Sequence, residues 1–196
     1  MLNIHNLQLG AYFTNCYIIH AAASTACCVI DPGARADKVL DLLQEKGLTL
    51  EAILLTHGHF DHVGAVQDLA KQTGCRVFLC EDDLTMPPNM TAGPLFYTDD
   101  YHEGDVLHLA GLQITVLHTP GHTPGSVCLV TEDAIFSGDT LFAASCGRTD
   151  LPGGDTAAIM RSLRRLRDLP GDYRVFPGHS IPTVLSRERE YNRYMK

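Results

Sequence analysis

Three imidazoles and one carboxylate fall within six residues in the run His57-Gly58-His59-Phe60-Asp61-His62. Imidazole is the commonest nitrogen ligand for zinc and iron, and a carboxylate is a good oxygen partner. Four such groups packed this tightly are wasteful on a surface and awkward in a core, so the run reads as a metal site. Three more candidates each follow a glycine, in Pro120-Gly121-His122, Ser137-Gly138-Asp139 and Pro177-Gly178-His179. A glycine there lets the backbone turn sharply and approach an ion closely. The candidates are then His57, His59, Asp61, His62, His122, Asp139 and His179. They exceed the four ligands of one tetrahedral zinc and fit two ions that share a carboxylate. The helical zinc-protease motif spaces its histidines at i and i+4. Here the first pair is two apart, as in an extended turn, and the last two ligands open a helix.

These loops need elements that bring them together. Each follows an apolar, strand-like run: Ile53-Leu54-Leu55, Ile114-Thr115-Val116-Leu117, Ala134-Ile135-Phe136 and Arg174-Val175-Phe176. Polar groups at the carboxyl ends of neighbouring strands converge on one edge of a sheet, where α/β proteins place ligands. Further strands are expected at 7–9, 16–20, 26–30, 76–80, 106–109 and 126–131. Helical spacing of apolar residues predicts helices over 36–45, 62–72, 156–167 and 183–194. Residues 85–100, with Pro87, Pro88, Gly93 and Pro94, read as a loop. Strands interleaved with helices indicate a layered α/β protein with its helices outside.

The 196 residues suffice for one domain with a real core. An apolar fraction of 45% and a charged fraction of 19% are those of a soluble globular chain. No apolar run reaches the ~20 residues of a membrane span. The net charge of -8 argues against a nucleic-acid partner. Seven cysteines lie mostly in apolar runs, with no C-x-x-C pair, and read as small buried hydrophobes. With no secretion signal at the N-terminus, the expected compartment is the reducing cytoplasm. The sequence carries no signal for an oligomeric state.

The H-x-H-x-D-H run with a distal His, an Asp and a final His resembles the metallo-β-lactamase superfamily. The likeness extends from Thr14-Asn15-Cys16-Tyr17 to the C-terminal helix. The runs Ser137-Gly138-Asp139-Thr140-Leu141-Phe142 and Cys146-Gly147-Arg148-Thr149-Asp150 look like hydroxyacylglutathione hydrolase (glyoxalase II) and its short relatives. The resemblance implies a four-layer αββα sandwich. It implies one metal ion on His57, His59 and His122, a second on Asp61, His62 and His179, and a bridging Asp139. It further implies two divalent ions, zinc first and iron or manganese as substitutes. The implied reaction is attack of a metal-bridging hydroxide, oriented by Asp61, on a small-molecule thioester such as S-lactoylglutathione.

The residues after His179, 180–196, leave no room for the helical glutathione-binding domain of full-length glyoxalase II. The expected organisation is therefore one domain, 1–196. Thiol-carrier recognition would then fall to Arg148, Tyr97, Tyr101 or the proline-rich loop. Arg148 has two readings, a fork for a substrate carboxylate or an ion pair with Asp150. Asp31 is either a turn acid or a hydrogen-bond partner of the metal loop, and the family favours the second. His118, four before His122, is the candidate to support the site from behind. His5, His20, His102 and His108 read as ordinary histidines, and Cys146 as structural. The competing functions are a mono-iron persulfide dioxygenase, a non-catalytic metal-binding protein and a lactonase.

Overall fold

The computed structural model describes residues 1–91 and 93–196; residue 92, inside the expected 85–100 loop, lies outside the described residues. The first half of the chain forms β1 (Leu2–Leu9), β2 (Thr14–Ala21), β3 (Ala26–Ile30), α1 (Ala36–Lys46), β4 (Thr49–Leu54), α2 (Phe60–Val63), α3 (Val66–Thr73), β5 (Arg76–Leu79), a 3-10 turn (Glu81–Thr85), α4 (Pro88–Thr91) and β6 (Asp99–Asp100). The second half forms β7 (Val106–Leu109), β8 (Leu112–His118), β9 (Val127–Thr131), β10 (Ala134–Gly138), β11 (Leu141–Phe142), β12 (Ser145–Cys146), α5 (Thr156–Arg167), β13 (Arg174–Pro177), β14 (Thr183–Val184) and α6 (Leu185–Tyr191), with a closing 3-10 turn over Arg193–Met195.

Each half builds its own sheet. The first has the order β1-β2-β3-β4-β5-β6 and the second β14-β13-β10-β9-β8-β7, while β11 and β12 pair as a short hairpin. Successive side chains of a strand point to opposite faces, so a strand buried on both faces reads as a continuous apolar run. β3 shows this. Cys28 and Ile30 face the layer between the sheets with Tyr17, Leu54, Ile114, Leu129 and Phe136. Cys27 and Val29 face outward, under Val39 and Leu43 of α1 and Val66 and Leu69 of α3. On the far side Cys128, Ile135 and Val175 lie under Ile159, Leu163 and Leu166 of α5 and Leu185 of α6. The result is the expected αββα sandwich, with free thiols behaving as core residues.

Three boundaries differ from the pattern-based reading, and the expected 85–100 loop carries α4 and β6. The helix expected over 62–72 is split into α2 and α3, because the Ala65 N–H turns away to the Pro32 carbonyl (2.9 Å). The expected terminal helix begins as β14, which pairs with β13 before α6 starts. β1 spans eight residues rather than three, since its full-length pairing with β2 holds Asn3, His5 and Asn6 in register. Among the described residues no helix is long and apolar enough to cross a membrane.

Candidate metal centre

The loop after β4 carries His57 and His59, and α2 directly after it carries Asp61 and His62; the loops after β8, β10 and β13 carry His122, Asp139 and His179. The structure gathers all seven at one edge of the sandwich. His57, His59 and His122 offer ligand atoms within 4.8 Å of one another, and Asp61, His62 and His179 form a second such group. Asp139 stands between them. One of its carboxylate oxygens lies 3.4 Å from His122 Nε2 and 3.6 Å from His179 Nε2. The other lies 3.6 Å from His62 Nε2.

The donor set fits metal on an observation independent of ligand counting. Among the described residues His57 Nε2, His59 Nε2 and Asp139 Oδ1 are buried polar atoms without a hydrogen-bond partner. Unsatisfied buried groups are costly, and all three belong to candidate ligands. Rings pack directly on rings, with His57 and His62 centroids 4.1 Å apart. Cations would repel at such distances, and a divalent ion resolves the problem by binding neutral imidazole.

The two groups differ electrostatically. Burial and the neighbouring His62, His122 and His59 push the His57 pKa well below its ordinary value. Burial and His122 likewise lower His59 to about 4. Burial also acts against charge on His62, but Asp139, Asp31 and Asp61 outweigh it and push this imidazole up to about 9. For Asp61, burial opposes ionisation, yet the His179 hydrogen bond, the His62 charge and Thr14 hold its carboxyl well below the usual range. In the first group His57 and His59 are thus neutral rings, whereas the second group is an ion-paired cluster.

Three of the rings are aimed by what the other nitrogen meets. His122 Nδ1 donates to the Arg148 carbonyl (2.8 Å), and His179 Nδ1 faces the Tyr12 carbonyl (3.2 Å). Both contacts leave Nε2 for the centre, the usual arrangement behind metal-binding histidines. Asp31 does this for His62, with Oδ2 at 3.0 Å from Nδ1. The same carboxylate accepts the Thr56 N–H (2.8 Å) and hydroxyl (2.6 Å), so Asp31 is no mere turn acid. Thr14 donates its hydroxyl to Asp61 Oδ2 (3.1 Å).

The glycines before the ligands do the work expected of them: Gly121 and Gly138 take positive φ (135° and 48°), which L side chains rarely adopt. A Cβ at Gly178 would lie 2.4 Å from Asp139 Oδ1 and 2.7 Å from His62 Cε1, so this position must be bare for the cluster to close. Gly121 serves packing as well as the turn. Its Cβ would meet the Ile159 backbone at 2.2 Å, on α5, whose Ser162 hydroxyl also donates to the Pro120 carbonyl (2.8 Å).

Two sequence candidates sit elsewhere than imagined. Arg148 is 62% exposed and forks onto Asp150 with two 2.7 Å bonds, and only its main-chain carbonyl touches the centre. His118 does not support His122 directly. Its Nε2 lies 2.8 Å from the Pro124 carbonyl, at the far end of the His122 loop.

Sequence reasoning missed two supports. Asp83 is fully buried, and its carboxylate accepts the Gly58 N–H (2.7 Å), the Gly125 N–H (2.6 Å) and the Thr123 hydroxyl (3.1 Å). It thereby ties the His57–His59 loop to the His122 loop. Nothing distinguishes it in the acidic run Glu81-Asp82-Asp83. Asn15 donates its amide to the Pro177 and Ser180 carbonyls (3.0 and 2.9 Å), and the Tyr17 hydroxyl donates to Pro177 as well (2.7 Å).

Comparison with known proteins agrees with this geometry. The family model described as the metallo-beta-lactamase superfamily matches residues 9–179. The Haemophilus influenzae protein named hydroxyacylglutathione hydrolase GloC is 34% identical over 99% of this chain and 98% of its own length. Among solved structures, BLEG-1, named a B3 metallo-beta-lactamase, has a TM-score of 0.89 at 32% identity over the full length of both chains. TTHA1623, crystallised in a di-iron-bound form, has a TM-score of 0.85 at 39% identity, covering 97% of this chain and 99% of that one. Fold, ligand order and sequence together place the chain in one family: it belongs to the metallo-β-lactamase superfamily.

Proposed function

We propose that this chain is a binuclear metallohydrolase that cleaves a small-molecule thioester such as S-lactoylglutathione. The carrying observation is that two three-ligand groups meet at one shared carboxylate, Asp139, with buried nitrogens left unpartnered. A relative of nearly equal length that is named a hydroxyacylglutathione hydrolase supports the substrate class. In this reading His57, His59 and His122 hold one divalent ion, Asp61, His62 and His179 hold the other, and Asp139 touches both.

When bound, two divalent ions supply Lewis acidity, which polarises a carbonyl oxygen and lowers the pKa of water from 15.7 to about 7. The chain's own groups complete the reaction. Asp61, held ionised by His179, His62 and Thr14, accepts a hydrogen bond from the attacking water and fixes its direction. Asp31, Arg148 through its carbonyl, and Tyr12 keep three rings aimed inward. No side-chain nucleophile is required.

Zinc is the first choice of ion because nitrogen and carboxylate donors suit it, and iron is the alternative in view of the di-iron neighbour. The free thiols suit a reducing cytoplasm, and one domain over 1–196 carries the activity without nucleic acid or membrane.

The test is to purify the protein without added metal and measure zinc and iron per chain. Hydrolysis of S-lactoylglutathione and oxygen uptake with glutathione persulfide are then assayed side by side. Two ions per chain with thioester hydrolysis is the expected result. One tightly held iron with oxygen consumption overturns the proposal in favour of the dioxygenase.

A further inference from the structure

A second group of unlike metal-ligating side chains lies on the flank of the sandwich. Cys80 follows β5, Asp82 lies in the 3-10 turn and His118 ends β8. One ligand atom of each is within 4.8 Å of the other two, with Cys80 buried, His118 half-buried and Asp82 exposed. They line a cleft of about 310 Å³ that also holds Glu81, Asp100 and Glu103. His118 Nε2 lies 3.6 Å from Asp82 Oδ2 and 2.8 Å from the Pro124 carbonyl oxygen.

The neighbouring acids already have partners. Glu81 accepts the Tyr97 hydroxyl, Glu103 binds Arg165 and the His118 N–H, and Asp83 holds the metal loops. Cys80 and Asp82 have no part in the centre described above. Sulfur, imidazole and carboxylate form a donor set for zinc and ions like it. Bonds of about 2.0 to 2.3 Å to a tetrahedral ion hold its ligand atoms about 3.3 to 3.8 Å apart. The three side chains reach that spacing by rotamer adjustment, and exposed Asp82 has the freedom to make it. Burial favours the neutral Cys80 thiol, but the Asp82 main-chain N–H is directed at the sulfur and works in the other direction.

We propose that Cys80, Asp82 and His118 form a peripheral site for a divalent ion of the zinc class, with the Pro124 carbonyl oxygen as fourth donor. Binding releases the Cys80 thiol proton to solvent, and the sulfur gives its electron pair to the ion. His118 binds through Nε2, with its proton on Nδ1, in place of its present hydrogen bond to Pro124. The site joins the two sheets, since Cys80 and Asp82 follow β5 while His118 ends β8 and Pro124 follows it. Its role is therefore structural, a tie beside Asp83 that fastens the His122 loop to the first sheet.

Thiolate ligation gives the test a signature that the main centre lacks, since that centre is built from histidine and aspartate. The holoprotein, with its main centre filled, is titrated with cobalt(II) and followed by ultraviolet thiolate-to-metal charge-transfer absorption. The expected result is one additional ion per chain, with a charge-transfer band that is absent in Cys80→Ser and in His118→Gln. Both variants should retain thioester hydrolysis, and the melting temperature should rise on metal addition in the wild type only. Absence of the band at saturating cobalt in the wild type overturns the proposal. So does a band that survives in Cys80→Ser, which would assign the thiolate to another cysteine such as half-buried Cys146. Neither outcome touches the thioesterase reading, because hydrolysis is measured separately.

Discussion

The two candidate ligand groups flank one carboxylate, Asp139, but are built in opposite ways. His57, His59 and His122 are buried rings, and burial and neighbouring rings hold His57 and His59 neutral. Asp61, His62 and His179 are ion-paired, and Asp61 and His179 are partly open to solvent. A neutral nest gains everything from a cation, whereas an ion-paired cluster is already partly satisfied without one. The first group should therefore hold its ion more tightly and lose more when a ligand is removed.

The largest effect is expected from His57→Ala. It should remove metal and thioester hydrolysis together, read by metal analysis and initial rates. Full activity in that variant would sink the assignment.

Asp31→Ala probes the second group. Loss of the contact that aims His62 should weaken metal binding by about 10- to 100-fold. Isothermal titration should show the larger loss in the second group, since Asp31 reaches His57 of the first group only through Thr56. Equal weakening of both ions would erase the contrast between the groups.

Asp83→Ala acts on what joins the loops. It strands the buried Gly58 and Gly125 N–H groups and should cost about 2 kcal/mol in urea unfolding of the holoprotein. Unchanged stability would show that the strut is redundant.

The contrast extends to the pH dependence of the metal-free chain. His59 has a folded pKa near 4, below the ordinary 6.5, so the unfolded chain binds more protons between these values and stability rises with pH there. His62, raised to about 9, contributes stability that is complete below 6.5 and is lost as pH rises through 9. Urea melts should therefore show a maximum between the two regions. A monotonic profile would contradict the opposed characters of the two groups.

Legibility followed the same division. His57 to His62 is contiguous, so its chemistry is readable from spacing alone. His122, Asp139 and His179 are single residues, readable because each follows a strand and a glycine. The sandwich was legible because β3 and β4 are apolar on both faces, as strands covered on both sides must be. Asp83 was not, since its partners are main-chain groups 25 and 42 residues away and leave no mark on local sequence. The break between α2 and α3 was hidden for a related reason. Val63 and Val66 continue a helical pattern, and only the tertiary bond from Ala65 to Pro32 interrupts it. Arg148 carried two readings that spacing does not separate, and the fork onto Asp150 appears only in three dimensions.

The clasp of Asn15 and Tyr17 on Pro177 and Ser180 spans more than 150 residues of chain. During synthesis the amino-terminal strands emerge first, at about 5 to 20 residues per second. The histidine run is therefore outside the ribosome well before its last partner has been made. Until residue 180 arrives, β2 lacks the carbonyls it will hold, and His179 has no fixed place. A nascent chain can present only part of its ligands to the cell's metal pool, so loading of the full centre belongs to the end of translation rather than its middle.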